Sequence, residues 1–213
     1  MHLEEIKKVY SLNKGVIVNR LEQFKEIWVR QDDREIFTEL SFCLLTPQSK
    51  AKTCWEAVCG LVNKDILWEG EPHHILPEVC KVRFKNKKSL YIYNARSLFS
   101  EDKGIKIFAR LKQFSDIIEL REWLVKNVKG LGYKEASHFL RNIGLGENLA
   151  ILDRHILKNL RILGVIREIP KSLTKKKYLE IERKMIEFSR KIKIPAAHLD
   201  LALWCKEAGE VFK

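Results

Sequence analysis

An all-α fold is the class this sequence predicts, on three observations. Breakers are scarce, with ten glycines and five prolines in 213 residues, roughly half the usual share. Apolar residues recur at helical spacing along most of the chain, and no segment needs a strand. Apolar residues make up 46% of the chain and aromatics 9%, enough to bury a sizeable core and unlike a disordered sequence.

Ile17, Leu21, Phe24 and Trp28 share one face of a first helix over 16–29. Asp33 reads as the N-cap of a second helix, which runs to Leu45 and is stopped by Thr46-Pro47. Ser49 can cap a third through Val62. Residues 63–86, with Pro72, Pro77 and the basic tract Lys81-Val82-Arg83-Phe84-Lys85-Asn86-Lys87-Lys88, predict short helices and an exposed loop. Helices resume over 89–100 and 106–114. Ser115 or Asp116 opens the next, whose apolar face is Ile117, Leu120, Leu124 and Val128, and it ends in Lys129-Gly130-Leu131-Gly132. Another helix follows at once, from Tyr133 to Ile143, closed by Gly144-Leu145-Gly146. After Ile151-Leu152-Asp153 comes a helix to Leu163, then a long charged one from Thr174 to Ile192, and a last one with Pro195 at its first position. Five of the ten glycines fall between Gly130 and Gly164, where the backbone is most constrained.

The 40 lysines and arginines exceed the 28 acidic residues by 12, a surplus that suits acidic partners and equally a lysine-rich soluble enzyme. No apolar stretch approaches the roughly 18 to 20 residues that span a bilayer, so no membrane role is expected. The N-terminus, Met1-His2-Leu3-Glu4-Glu5, has no apolar leader core, which points to the cytoplasm. The five cysteines, Cys43, Cys54, Cys59, Cys80 and Cys205, lack paired C-x-x-C spacing, offer neither a zinc nor a cluster ligand set, and read as buried thiols. No metal site is expected.

Two helices joined by Val128-Lys129-Gly130-Leu131-Gly132 make a helix-hairpin-helix. Its glycines let the backbone approach a ligand, and its second helix offers free N–H groups. Such an end holds a phosphate without reading a base; Gly-Leu-Gly also serves as a plain helix connection. Lys134 stands in the first turn of that second helix, where an ammonium faces the positive end of the helix dipole. The place suits a neutral, nucleophilic amine, with a solvated lysine as the alternative. Asp153, 19 residues on, reads as the N-cap of the helix that follows. Placed near the amine, its carboxylate can also take a proton or steady the positive charge that grows at a sugar C1′ as a glycosidic bond breaks.

Gly130-Leu131-Gly132-Tyr133-Lys134-Glu135-Ala136 followed by Leu152-Asp153-Arg154-His155 resembles the G-h-G-x-K-x-A motif and downstream Asp of the helix-hairpin-helix superfamily of DNA glycosylases. The fuller run from Lys134 to Gly144, with Ala150-Ile151-Leu152-Asp153-Arg154-His155-Ile156-Leu157, is similar to the second class of 8-oxoguanine DNA glycosylase/AP lyases, found mainly in archaea and some thermophilic bacteria. Length, the lack of an extra N-terminal β domain and a chain ending at a lysine fit that class, so the resemblance covers essentially the whole chain. It implies a bifunctional base-excision repair enzyme: the amine of Lys134 displaces the damaged base at C1′ and forms a Schiff base with the opened sugar, Asp153 assists, and the strand is cut by β-elimination. It also implies that Gly130 and Gly132 grip the DNA backbone and that His155 contacts a phosphate. Lys129 and Arg154 flank these residues and join the expected DNA-binding set. Trp204 would stack on the flipped base, and Lys213 would help tell 8-oxoguanine from guanine. Endonuclease III relatives share the Lys and Asp but usually hold an iron–sulfur cluster near the C-terminus, for which Cys205 alone is no ligand set.

Chemistry at C1′ inside a duplex requires a flipped nucleotide, a pocket for its base and a group to fill the vacated stack. Trp204 shares a helical face with Asp200, Leu201 and Ala208 and also reads as core. Gln48 occupies the interhelical turn where related glycosylases place a polar residue that enters the emptied stack; a simple turn residue is the alternative. Arg83 and Phe84 pair a cation with an aromatic, which suits a wedge, a base contact or a phosphate-tracking loop, and Phe84 also reads as core. The expected organisation is two helical domains, 30–128 as a helical barrel and 1–29 plus 129–213 as the second, with double-stranded DNA containing 8-oxoguanine in the cleft between them. No cofactor and no obligate protein partner is expected. The rival readings are an endonuclease III-like glycosylase for oxidised pyrimidines and a non-catalytic helix-hairpin-helix DNA-binding module.

Overall fold

The structure, a computed structural model, describes residues 2–102 and 104–213; Met1, which the sequence assigns to the second domain, lies outside them. Among the described residues there are twelve helices and one pair of two-residue strands, so the all-α class predicted above is the observed one. The chain divides into two compact units, Ile27–Phe139 and Met1–Glu26 with Leu140–Lys213. The second boundary falls after Phe139 rather than at the expected 128. Its physical reason is that the hairpin is tied to the first of these units, through Arg121 to Ser137 and through Gly130 against Tyr91.

α1 (His2–Arg30) is longer than the helix predicted over 16–29. Its early part buries Ile6, and Gly15 sits in it with open space around its α-carbon, where glycine costs roughly 1 kcal/mol of helix propensity and no packing.

In the unit Ile27–Phe139, α2 (Asp33–Leu45) is followed by α3 (Ala51–Asn63), α4 (Ile66–Glu69), α5 (Pro72–Glu78), α6 (Lys85–Phe99), α7 (Ile107–Leu111), α8 (Ile117–Asn127) and most of α9 (Tyr133–Asn142). α2 is the centre, packed against α3, α6 and α7. Ile36, Phe37, Leu40, Phe42 and Leu44 are fully buried along it, each contributing roughly 1.5–3 kcal/mol by leaving water. Asp32, not Asp33, caps this helix, accepting from the N–H groups of Arg34 at 2.7 Å and Glu35 at 3.1 Å. Asp33 is thereby free to accept the N–H of Phe108 at 2.8 Å.

Ser49 does not cap α3; Lys50 precedes that helix without a side-chain cap, and the Ser49 hydroxyl is drawn to Arg83 and Lys88 instead. α6 starts at Lys85, ahead of the predicted Ser89, because Phe84 turns the chain with a φ of 62°. The basic tract is thus half loop and half helix. Ser100–Glu101 (β1) and Gly104–Ile105 (β2) pair antiparallel, a ladder too short for any periodicity to announce.

The unit Met1–Glu26 with Leu140–Lys213 holds most of α1, the end of α9, α10 (Arg154–Ile162), α11 (Lys175–Lys191) and α12 (Ala196–Ala208). α12 packs on α10 and α11, and Pro195 is its N-cap rather than its first residue. Ile17, Leu201 and Ala202 form a buried cluster that Tyr10, Leu21 and Val211 cover. Arg141 donates to Asp200 at 2.6 Å with both side chains buried; removing one partner would strand a charge, at a cost of about 3–5 kcal/mol.

No helix among the described residues is long and apolar enough to cross a membrane. The cysteines form no disulfide among the described residues. Cys43, Cys54 and Cys205 are buried as predicted, whereas Cys59 is half-buried and Cys80 is exposed.

Candidate active site

The hairpin is tight because backbone bonds close it. Val128 gives its N–H to the carbonyl of Leu124 at 2.9 Å, and Leu131 gives its own to Val128 at 3.1 Å. Gly130 has a φ of 92°, and a β-carbon there would overlap the ring of Tyr91, so only glycine fits. Lys129 and Gly130 are exposed while Leu131 is buried beneath them. The second helix is tied to the first by Tyr133, whose hydroxyl donates to Glu122 at 2.6 Å. Buried Arg121 adds a bond to the Ser137 hydroxyl at 3.1 Å and lies 5.5 Å from the Tyr133 ring.

Lys134 stands in the first turn of α9 with its side chain 22% exposed. Its Nζ lies 3.5 Å from the Thr46 hydroxyl and 3.6 Å from a Glu135 carboxylate oxygen. Thr46 gives its own proton to the Cys43 carbonyl at 2.9 Å, so its lone pairs are what the amine meets. The turn that carries Thr46 also carries Gln48, exposed and at a φ of 55°. Ser49 in the same turn accepts the Arg83 N–H at 3.1 Å, which brings Arg83 and Phe84 beside Gln48. Phe84 is not core: it is 48% exposed, with the Arg83 guanidinium 5.1 Å from its ring centre.

Lys88, expected as part of a solvated tract, is buried and donates to Leu45 O at 2.6 Å, Pro47 O at 2.7 Å and Ser49 Oγ at 3.1 Å. Burial pushes its ammonium down to about 8, and the charge of Lys134 pushes the same way. Cys54 donates to the same Leu45 carbonyl at 3.1 Å, and burial pushes its thiol up to about 11.

In the unit Met1–Glu26 with Leu140–Lys213, Asp153 is the N-cap of α10, accepting from the N–H groups of His155 and Ile156, both at 2.8 Å and both through Oδ1. The segment leading into it is braced from α11. Tyr178 gives its hydroxyl proton to Ala150 O at 2.5 Å, and Glu182 accepts the Ala150 N–H at 2.9 Å. Both braces are buried side chains.

Arg154 is exposed and donates to His155 Nε2 at 3.1 Å, leaving His155 Nδ1 toward Glu207 of α12 at 3.4 Å. Glu207 also accepts from Lys158 at 2.9 Å and Asn159 at 3.0 Å. The Lys158 ammonium, first among these partners, holds the Glu207 carboxyl below the usual range. Trp204, one turn before Glu207 on α12, is half-buried rather than core. Lys213 is half-buried at the end of a tail that Val211 anchors to the core.

The structure therefore gathers Gln48, Arg83, Phe84 and Lys134 around one turn, and Asp153, Arg154 and His155 at one helix start linked to α12. Thr46, Lys88, Tyr178, Glu182 and Glu207 are additions that sequence reasoning did not single out. A cavity of about 590 Å³ in the unit Met1–Glu26 with Leu140–Lys213, lined by residues such as Leu21, Arg141, Arg190 and His198, includes none of the nominated residues. Among the described residues no group of three or more His, Cys, Asp or Glu side chains is placed to hold a metal ion.

A profile of the family described as 8-oxoguanine DNA glycosylase matches residues 17–194, a stretch that includes Gln48, Phe84, Lys134 and Asp153 but not Trp204 or Lys213. A protein named 8-oxoguanine DNA glycosylase/AP lyase from Fusobacterium nucleatum is 48% identical over 212 residues, covering 100% of this chain and 98% of its own. One of the same name from Korarchaeum cryptofilum is 40% identical, covering 94% and 91%. Among solved structures, the 8-oxoguanine DNA glycosylase of Thermotoga maritima matches with a TM-score of 0.88 at 32% identity, over 99% of this chain and 98% of that one. The Methanocaldococcus jannaschii 8-oxoguanine glycosylase/lyase, in complex with a 15mer DNA containing 8-oxoguanine, matches with a TM-score of 0.87 at 34% identity, over 99% and 100%.

Proposed function

The chain belongs to the 8-oxoguanine DNA glycosylase family, and from that premise we propose that it excises 8-oxoguanine from double-stranded DNA and nicks the abasic site, with Lys134 as nucleophile and Asp153 as its acidic partner. The observation that carries the residue assignment is the Lys134 amine, half-buried beside the Thr46 hydroxyl at the start of the hairpin helix. A lysine left to bulk solvent would have no such neighbour.

The flipped nucleotide presents C1′ to the Lys134 nitrogen. The nitrogen lone pair makes the new C–N bond while the bond from C1′ to the base breaks, and the base departs with a proton. The role assigned to the Asp153 carboxylate is to offset the positive charge that builds on the sugar, which lowers the barrier electrostatically. Opening of the sugar ring turns the adduct into a Schiff base. The Schiff base acidifies the C2′ proton; its removal expels the 3′ phosphate, and water then releases Lys134.

Lys129, Gly130, Gly132, Arg154 and His155 hold phosphates, which positions the duplex without reading sequence. Gln48 fills the vacated stack, Arg83 and Phe84 border it, Trp204 stacks on the extruded base, and Lys213 contributes to selectivity for the lesion. The enzyme works at the cell's DNA, within the cytoplasm.

Duplexes carrying one lesion each test this reading. The protein should release 8-oxoguanine and cut the strand at least about a hundredfold faster than it releases an oxidised pyrimidine, since a site built around the donors of one base rejects another strongly. Preference for the pyrimidine lesion would favour an endonuclease III-like activity, and binding without release a DNA-holding module.

A further inference from the structure

Lys88 is a buried charge to which the mechanism above gives no task. It stands in the first turn of α6 and is 3% exposed. An ammonium taken out of water is costly unless its donors are met, and here its partners are Leu45 O, Pro47 O and Ser49 Oγ, at 2.6, 2.7 and 3.1 Å. Leu45 is the last residue of α2, so the cation also meets the negative end of that helix. A lysine serving α2 alone would need only the Leu45 carbonyl. The bonds to Pro47 and Ser49 extend its hold across the whole turn.

Thr46 and Gln48 lie between those acceptors. Gln48 has a φ of 55°, in the left-handed region that a residue with a β-carbon adopts only when its surroundings impose it. Thr46 is the residue whose hydroxyl meets the Lys134 amine at 3.5 Å. Its hydroxyl is tied to the Cys43 carbonyl at 2.9 Å, backbone bonds from Thr46 to Cys43 and from Ser49 to Thr46 close the turn that carries it, and Lys88 grips that turn from both sides.

We propose that Lys88 is a positioning residue for the excision reaction: by gripping the main chain from Leu45 to Ser49, it fixes the turn in which the Thr46 hydroxyl aims the Lys134 amine. The inference rests on the reading of Lys134 as the nucleophile.

Single-turnover excision of 8-oxoguanine, with enzyme saturating the duplex, separates aim from binding. Lys88→Met keeps the length of the side chain and removes its donors. A Lys88→Met protein that melts like the wild type should excise about tenfold more slowly or worse, while binding undamaged duplex as the wild type does. Lys88→Arg, which restores charge and donors, should recover most of the rate. Thr46→Val, which removes the hydroxyl and leaves Lys88 in place, should also be slow. The double variant should be no slower than the slower single variant, because the two side chains lie on one path.

A folded Lys88→Met at the wild-type rate overturns the proposal, as do additive losses in the double variant or an equal loss of undamaged-duplex binding. If Lys88→Met does not melt like the wild type, Thr46→Val decides, and a wild-type rate there overturns it. Lys134→Ala in the same series tests the underlying reading: an active Lys134→Ala removes the nucleophile, whereas a silent one beside a fast Lys88→Met removes the positioning role alone.

Discussion

Asp153 accepts the backbone N–H of Ile156 at 2.8 Å through Oδ1, the atom that also accepts from His155, and its Oδ2 has no hydrogen-bond partner among the described residues. Capping therefore occupies one oxygen of the carboxylate, and in the proposed reading the other is left for chemistry. Asp153→Asn keeps an oxygen for the cap and loses the charge. Its thermal midpoint should match the wild type, while single-turnover excision should fall by about 10²–10⁴. Asp153→Ala should lose roughly 1 kcal/mol of stability as well. A wild-type rate in Asp153→Asn would leave this residue a cap and nothing more.

Gly130 holds a φ of 92° with the Tyr91 ring against its α-carbon. Gly130→Ala should lose roughly 1–3 kcal/mol in urea unfolding, from backbone strain and displacement of the ring. Its affinity for undamaged duplex should fall too, since the hairpin amides move. Unchanged affinity would remove the hairpin from the DNA contact.

Glu207 links acid stability to α10. Its carboxyl is held below the usual 4.5, chiefly by the Lys158 hydrogen bond, so the folded protein releases this proton more readily than the unfolded chain. The stabilisation is complete above a pH of about 4.5 and disappears as pH falls through the folded value. Urea unfolding should show Glu207→Gln less stable than the wild type near neutrality, with the difference shrinking in acid. A difference that stays constant with pH would contradict the linkage.

Trp204 is half-buried on α12, with ring surface left for a ligand. Stacking of a base on such a ring is worth about 1–3 kcal/mol. In a Lys134→Ala background, Trp204→Ala should bind an 8-oxoguanine duplex about tenfold more weakly or worse, Trp204→Phe less so, and undamaged duplex should be unaffected. Equal losses on both duplexes would make Trp204 a structural residue.

Local signals in the sequence disclosed the parts of the site that depend on local geometry. The Gly130 turn, the Lys134 position and the caps Asp116 and Asp153 are patterns a few residues long, and they stand where the spacing placed them. Features set by distant partners were illegible. Tyr178 meets Ala150 across 28 positions, and Lys88 meets Leu45 across 43. Lys88 did leave a trace: with Ile92, Ala95 and Phe99 it falls on one helical face, all four buried, but its place in a basic run concealed an inward direction. Ser49 misled for a similar reason, since a good capping residue was claimed by partners from another segment.

Borohydride reduction of the protein with an 8-oxoguanine duplex bears most directly on the nucleophile. Reduction makes a Schiff base permanent, so the wild type should give a covalent protein–DNA band with the adduct on Lys134, and Lys134→Ala should give none. Trapping of Lys134→Ala as efficient as that of the wild type, or an adduct on a different lysine such as Lys88, would contradict the assignment.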